Sequence, residues 1–483
     1  MTTTSESTVA VRGVERRTID VIPPEERHGT PFSQFTLWMG ANLQITAIVD
    51  GALAVVFGAD ALWAIIGLFL GNLLGGIVMA LHSAQGPRLG LPQMISSRAQ
   101  FGIFGAIVPL VLVIVMYLGF TATGTVLAGR AINELLRVDN ATIGIVLFVA
   151  IVAVIAIVGY RWIHAVGRFA SVLGVLGLAY LAVQLVRQHD VSAAFAGNQF
   201  DVVTFLLAVS LAAGWQLTYG PYVADYSRYL PAETSQRSVF WWTYGGSVLG
   251  SQLSMTFGAI VAAVAGDAFL TNRVGWLGGL ASGAIVAGLI YALIVIGKLT
   301  VTCLNAYGSF MCAATITTAL TGRRTMGSNA RRLRAAHARG LDGHRPVGQR
   351  RLPEQLQELR APAADGLHSP VGDQPHRLLP GVQGAGRPAG ALRPQRPLRP
   401  VERRGADDVL RRRADPVPFP AQKLYTGPVT KALGGADISR IVGLVVPAVM
   451  YYVWASRNPL APAAEVEVPF SDVPRDQPRL GAS

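Results

Sequence analysis

Charge is scarce in this sequence. Asp, Glu, Lys and Arg make up 14% of its 483 residues, while 51% are apolar and the mean hydropathy is +0.41. A soluble domain carries about 25% charged residues, so an ordinary water-soluble globule is excluded. Cysteine is limited to Cys303 and Cys312, too few for a disulfide scaffold. The two lie nine residues apart in one apolar run, on roughly opposite sides of a helix. Neither a disulfide nor a metal pair is expected, and both are read as packing residues. There is no Walker phosphate loop and no convincing nucleotide-binding fingerprint. His337, His344, His368 and His376 have no metal-ligand spacing. ATP-driven transport, enzymatic catalysis and a bound cofactor or metal therefore find no support.

What the chain has instead is long apolar runs. They fall near 35–57, 61–82, 103–129, 141–159, 163–186, 202–223, 239–265, 280–319 and 439–455. About 20 residues at 1.5 Å each cross roughly 30 Å of hydrocarbon, so the expected fold class is an all-α polytopic membrane protein in a lipid bilayer. The eighth run is long enough to tilt or project. Residues 1–30 are polar, carry Arg12, Arg16, Arg17 and Arg27, and lack a signal-peptide pattern. A cytoplasmic N-terminal tail in an inner-membrane protein is expected. The loops after even-numbered spans hold Arg88, Arg98, Arg161, Arg168, Arg228, Arg237, Arg323 and Arg324. The odd loops hold only Arg130, Arg137, Arg187 and Arg273, the bias that this topology requires.

An interrupted helix survives in hydrocarbon only where its freed backbone groups meet protein, water or a ligand. Two spans carry such interruptions. The first places Gly40, Asn42 and Gln44 within one apolar run, and the sixth reads Gly214-Trp215-Gln216-Leu217-Thr218-Tyr219-Gly220-Pro221. Glycine in membrane helices also marks close helix packing. Amides beside both glycine clusters favour a site. The two interruptions are five spans apart, which suits two five-helix repeats of inverted topology around a central site. In the eighth span Lys298, Thr302, Asn305 and Ser309 lie along one helix face. A membrane lysine is costly, so that face is expected to point inward. Snorkelling of Lys298 to an interface is the alternative. Asp50, at the end of the first span, has the same two readings.

The residues also carry a resemblance. RHGTP at Arg27–Pro31 with the following FSQFTLWMGANLQIT, the third-span YLGFTATGTVLAG, the sixth-span SLAAGWQLTYGPYVADYSRYLP and the eighth-span LNAYGSF resemble the nucleobase:cation symporter family of purine, cytosine, hydantoin and allantoin permeases. The signature ending Asp225-Tyr226-Ser227-Arg228-Tyr229 is the most specific part. The resemblance covers about 20–322 and resumes near Pro420. It implies a five-plus-five inverted-repeat transporter of twelve helices, moving a planar heterocycle with sodium or protons. It further implies that Tyr117 and Trp215 stack on the ring while Gln44, Gln216 and Asn305 read its edges. The family pattern carries Trp where Tyr117 aligns, a departure at that position. Aromatics offer stacking and amides both donate and accept, which fits a nucleobase. The implied cation site uses carbonyls near Gly40 and Leu43 with the Thr300 hydroxyl, and oxygen ligands suit sodium. Lys298, with Asp50, is the alternative coupling group and would favour protons.

From Arg332 to Arg413 the pattern stops. The stretch has no aromatic residue and no Ile, Lys, Met, Asn, Thr or Cys, yet it holds 17 arginines. A disordered basic segment binding anionic lipid or nucleic acid is one reading. The sharper reading is a frameshift. Apart from Ser369, every residue there has a codon beginning with C or G, as a GC-rich gene read out of register would produce. Shifting Arg360–His368 (RAPAADGLH) to the second codon base can give VLLLLMVFT, an apolar run. The expected organisation is therefore a tail at 1–30, spans one to eight at 31–322, a frameshifted segment at 323–419 replacing helices nine to eleven, a loop and last span at 420–456, and a cytoplasmic tail at 457–483. The leading functional reading is a permease for a heterocyclic substrate and a co-ion, without a nucleic-acid partner. The alternatives are an inactive frameshifted relic or a membrane-anchored protein with an Arg-rich interaction segment.

Overall fold

A computed structural model of the chain describes residues 19–321 apart from 159 and 198, and no side chain between 156 and 170. The frameshift reading at 323–419 and the span at 439–455 lie outside the described residues. Within them the apolar runs are helices. The first span is split into α1 (Phe32–Asn42) and α2 (Ile45–Val56), bent by 60°. The second is α3 (Ala61–Leu89), followed by the short α4 (Gln93–Ser96) and α5 (Arg98–Gly105). The third, fourth and fifth are α6 (Ile107–Leu136), α7 (Ala141–Val158) and α8 (Tyr160–Gln188). The sixth is α9 (Val202–Leu217), a turn, and then α10 (Ala224–Ser227). The seventh is α11 (Gln236–Ala265), succeeded by α12 (Asp267–Thr271) and α13 (Arg273–Gly279), and the eighth is α14 (Ala284–Thr321). Among the described residues five helices are individually long and apolar enough to cross a membrane, six with the bent pair, and no strand is present.

Local chemistry sets the boundaries. Asp60 Oδ1 accepts from Leu62 N (3.1 Å), Asp201 Oδ1 from Thr204 N (2.8 Å) and Asn272 Oδ1 from Gly275 N (3.1 Å), capping α3, α9 and α13. Helix α3 ends at Gly90, whose φ of +59° is left-handed and whose missing Cβ leaves room for the Arg27 guanidinium. The third span begins at 107, not 103, because Gly102 takes φ 76°, ψ 177° and breaks the helical path.

Small residues hold the helices close. Gly67, Gly71 and Gly75 face Ala208, Ala212 and Ala213, so α3 and α9 pack almost backbone to backbone. On α11, Gly246 meets Phe35, Gly250 meets Met39 and Gly258 meets the Ile48 carbonyl, so one straight helix supports both halves of the broken first span. The first two spans of each half thus pack on each other, and the third spans, α6 and α14, pack together beside them. This pairing of spans one, two and three with six, seven and eight is the relation that the inverted repeat requires.

Candidate functional site

The first-span break falls at Leu43 and Gln44. Leu43 N still bonds Met39 O, but Gln44 N turns to Asn42 O (3.0 Å), so Gly40 O loses its usual i+4 amide. Gln44 is extended (φ −153°, ψ 158°) and caps α2, its Oε1 accepting from Thr46 N at 2.9 Å. The sixth span breaks after Leu217, and residues 218–223 form turns around Gly220 and Pro221. One side chain joins the two breaks. Asn42 Oδ1 accepts from Trp215 Nε1 (2.6 Å) and Tyr219 Oη (3.4 Å), and its Nδ2 donates to Trp38 O (2.7 Å) and Ser247 Oγ (3.2 Å).

Aromatic rings line one side. Trp215 meets Phe120 (6.0 Å, 80°) and Tyr219 (6.0 Å, 82°), Tyr219 meets Tyr222 (5.8 Å), and Tyr222 meets Tyr117 (5.0 Å). Tyr117 and Trp215 are thus the ends of one arc, completed along α6 by Phe120, one turn from Tyr117. Polar groups from α2, α6 and α14 gather nearby. Lys298 is 1% exposed, and its Nζ donates to Thr46 Oγ1 (2.9 Å) and Gln44 Oε1 (3.3 Å). The snorkelling alternative is thereby corrected, since the lysine points into the interior. A Cβ on Gly124 would lie 2.8 Å from Lys298 Nζ and 3.4 Å from Thr302 Oγ1, so these three residues meet where α6 crosses α14. Gln44 Nε2, Tyr117 Oη, Thr125 Oγ1 and Thr302 Oγ1 are buried without a hydrogen-bond partner among the described residues. Asn305 lies on the same α14 face as Thr302, 2% exposed. Tyr117 Oη approaches Gly308, which places the tyrosine beyond Asn305 on that helix.

Gln216 stands apart from this group. Its Nε2 donates to Asn72 Oδ1 (3.1 Å) and Ser251 Oγ (2.8 Å), and its Oε1 accepts from Ser247 Oγ (2.6 Å). The structure places it in a closed network between α3, α9 and α11, on the side of α9 away from the aromatic arc. One residue turns a helix by about 100°, which separates Gln216 from Trp215. Of the implied cation ligands, Leu43 O lies 3.4 Å from the positions that a Cβ would take on Gly174 and Gly297, between α8 and α14. The Thr300 hydroxyl donates to Ile296 O at 3.1 Å and keeps its lone pairs. Asp50 is buried on α2, one turn beyond Thr46.

The sixth-span signature builds a seal beyond the site. Arg228 is fully buried and reaches Tyr307 Oη (3.2 Å), Tyr229 Oη (3.3 Å) and Asp20 O (3.3 Å), while Asp225 Oδ1 accepts from Gln93 N at 2.8 Å. Residues 20–28 are tied to the same end by His28 N to Tyr229 O (2.7 Å) and Ile22 N to Gly90 O (2.9 Å). Burial lowers the Arg27 pKa, partly offset by the Glu233 carboxylate. Sequence reasoning missed Asn42 as the hub and Gly124 as the space for Lys298. The Gly124-Thr125 pair sits inside the third-span motif, and that was its available signal.

Comparison with known proteins shows the family and the fold. The family described as permease for cytosine/purines, uracil, thiamine and allantoin matches residues 21–336, more than half of the chain. YxlA of Bacillus subtilis, assigned as a purine-cytosine permease, is 38% identical over 310 residues, covering 62% of this chain and 65% of that protein. The purine-cytosine permease FCY2 of Saccharomyces cerevisiae is 26% identical over 315 residues, covering 62% and 55%. The match therefore spans less than two thirds of the length of either relative. Among solved structures, the nucleobase-cation-symport-1 family transporter Mhp1, in a closed conformation with bromovinylhydantoin bound, has a TM-score of 0.65 at 17% identity, covering 92% of this chain and 96% of that one. Its inward-facing form scores 0.64 at 15% identity, covering 92% and 95%. A Na+-coupled sialic acid symporter scores 0.56 at 12% identity, covering 92% and 93%. At these identities the likeness is one of fold. The chain belongs to the family of permeases for cytosine/purines, uracil, thiamine and allantoin, and it is a multi-pass membrane protein with the inverted-repeat transporter fold.

Proposed function

We propose that the protein is a secondary active permease of the cell membrane, with its N-terminus in the cytoplasm, carrying a nucleobase or related heterocycle by alternating access. The observation that carries this reading is the set of buried, partnerless polar atoms on Gln44, Tyr117, Thr125 and Thr302 beside an aromatic arc. A buried polar group without a partner costs about 1–3 kcal/mol, so its presence on three helices calls for a ligand that supplies the missing bonds. A planar heterocycle has two π faces and a rim of donors and acceptors, which suits this lining. Trp215 and Tyr117 provide ring contact, while Gln44 and Asn305 read the rim. Gln216 belongs to the scaffold. The bound hydantoin named for Mhp1 and the purine-cytosine assignment of YxlA support the substrate class.

The coupling ion is either sodium, held by carbonyls of Gly40 and Leu43 with the Thr300 hydroxyl, or a proton carried by Lys298 and Asp50. The break supplies the carbonyls for the first route and buries the lysine for the second. The frameshift reading of 323–419 belongs to the same proposal. The family match ends at residue 336, close to where the codon pattern changes, which supports it.

The test is uptake of labelled cytosine, adenine and allantoin by cells expressing the chain, with membrane levels checked by blotting. Saturable uptake of one of them, lost in Asn305→Ala at an unchanged membrane level, is expected. Undiminished uptake in that variant contradicts the site.

A further inference from the structure

The break between α1 and α2 already holds the amine of Lys298. We propose that the Lys298 ammonium, held on the Gln44 and Thr46 oxygens next to the carbonyls of the break, is the resident cation there and keeps a sodium ion out, so that the protein works without bound sodium. Coupling as the consequence rests on the permease reading, but the assignment of the cation stands on geometry alone.

Three observations place the charge. First, Lys298 sits fourteen residues from the start of α14 and 23 from its end, 1% exposed. At 1.5 Å per residue that is about 21 and 35 Å of helix, well beyond the reach of a lysine side chain toward either end. Second, the ammonium is held by oxygens. Thr46 Oγ1 lies at 2.9 Å and Gln44 Oε1 at 3.3 Å, both from the first turn of α2, just past the break. These are the hard oxygen donors that an alkali ion would use. Third, the surrounding helices are cut away for it. Gly124 leaves room on α6 for the Lys298 methylene and ammonium, and a Cβ there would lie 2.5 Å from Cε. Gly297, one residue before the lysine, lets α14 approach Leu43 O and Gln44.

A sodium ion bound at the break, where Leu43 O faces Gly297, would lie close to a like charge in a medium of low dielectric, which opposes joint occupancy. Asp50, one turn beyond Thr46, is the buried acidic residue on this face of α2. Among the described residues, α6 presents Gly124 to Lys298 and α8 presents Gly174 to Leu43, and neither carries a charge. One positive charge is thus supplied by the chain itself, tying α14 to the hinge of the first span. A dissociable metal would supply the same tie only when bound.

The test is the melting temperature of the purified full chain in detergent, measured in NaCl, KCl and choline chloride at equal ionic strength up to about 150 mM. A sodium-specific site stabilises by mass action, so millimolar affinity would raise the melting point by about 2–4 °C in NaCl alone. Equal melting points of the wild type in all three salts are expected. Lys298→Ser, which removes the charge and leaves a hydroxyl beside the vacated oxygens, is expected to gain the sodium-specific rise. A sodium-specific rise in the wild type overturns the proposal without recourse to any variant. Insensitivity of both proteins also overturns it, because the oxygens would then not form a cation site. The same melts with added cytosine, adenine or allantoin report on the permease reading separately. Absence of any heterocycle effect counts against that reading and leaves the sodium result standing.

Discussion

Two buried polar clusters flank the sixth-span helix α9, and they differ in how they are completed. On one side, Gln216, Asn72, Ser247 and Ser251 exchange hydrogen bonds until the glutamine amide has both its ends engaged. On the other, Gln44, Thr125, Thr302 and Tyr117 keep buried polar atoms with no protein partner. Both clusters are buried at comparable depth, so solvent access does not separate them. A closed network fixes helices, because every group removed leaves another unpaired. An open one is stable only with something to fill it. Amides alone therefore do not mark a binding site in a membrane bundle, whereas several unsatisfied polar atoms beside an aromatic arc do.

The sharpest way to break this contrast is Trp215→Ala, which touches both sides through Asn42. Loss of the ring and of its bond to Asn42 is expected to abolish heterocycle binding and to cost about 3–5 kcal/mol of stability, seen as a lower melting temperature. Gln216→Leu acts on the closed cluster directly and reaches Asn42 only through Ser247. It removes three hydrogen bonds and leaves the Ser247 hydroxyl without its acceptor, and a cost of about 2–3 kcal/mol is expected with affinity of the folded protein within about threefold of wild type. Thr302→Val acts on the open cluster alone. Its hydroxyl has no partner to lose, so stability is expected to change by less than about 1 kcal/mol while affinity falls roughly tenfold, read by equilibrium binding.

The smallest effect is expected outside the membrane. The Asp201 carboxyl is held below the ordinary carboxylate pKa by hydrogen bonds from Thr204, backbone first. A depressed folded pKa stabilises above the unfolded value and is lost as the pH falls through the folded one. The melting temperature of Asp201→Asn should therefore differ from wild type above the carboxylate range, and the difference should close on acidification.

Much of this architecture was legible in the residues. Gly40, Asn42 and Gln44 in one apolar run marked the first break, and Gly220-Pro221 marked the second, because proline and glycine disturb helices in any context. The short α4, α5, α12 and α13 were not legible, since they lie between apolar runs and lack a membrane-length signal. The site was legible in residue type but not in direction. Gln216 and Trp215 are neighbours in sequence, yet the helix aims one at Asn72 and the other at Asn42. Lys298 had two readings until the space opened by Gly124 and the acceptors on Gln44 and Thr46 fixed it inside.

The central claim is that the unsatisfied cluster between α2, α6 and α14 binds the heterocycle. Its most direct test is equilibrium binding of radiolabelled cytosine, adenine and allantoin to the purified chain, comparing wild type with Asn305→Ala and Gln216→Leu at matched folded fractions. The account predicts binding that Asn305→Ala loses and Gln216→Leu keeps. Binding lost in Gln216→Leu and kept in Asn305→Ala would place the site on the other side of α9 and contradict it.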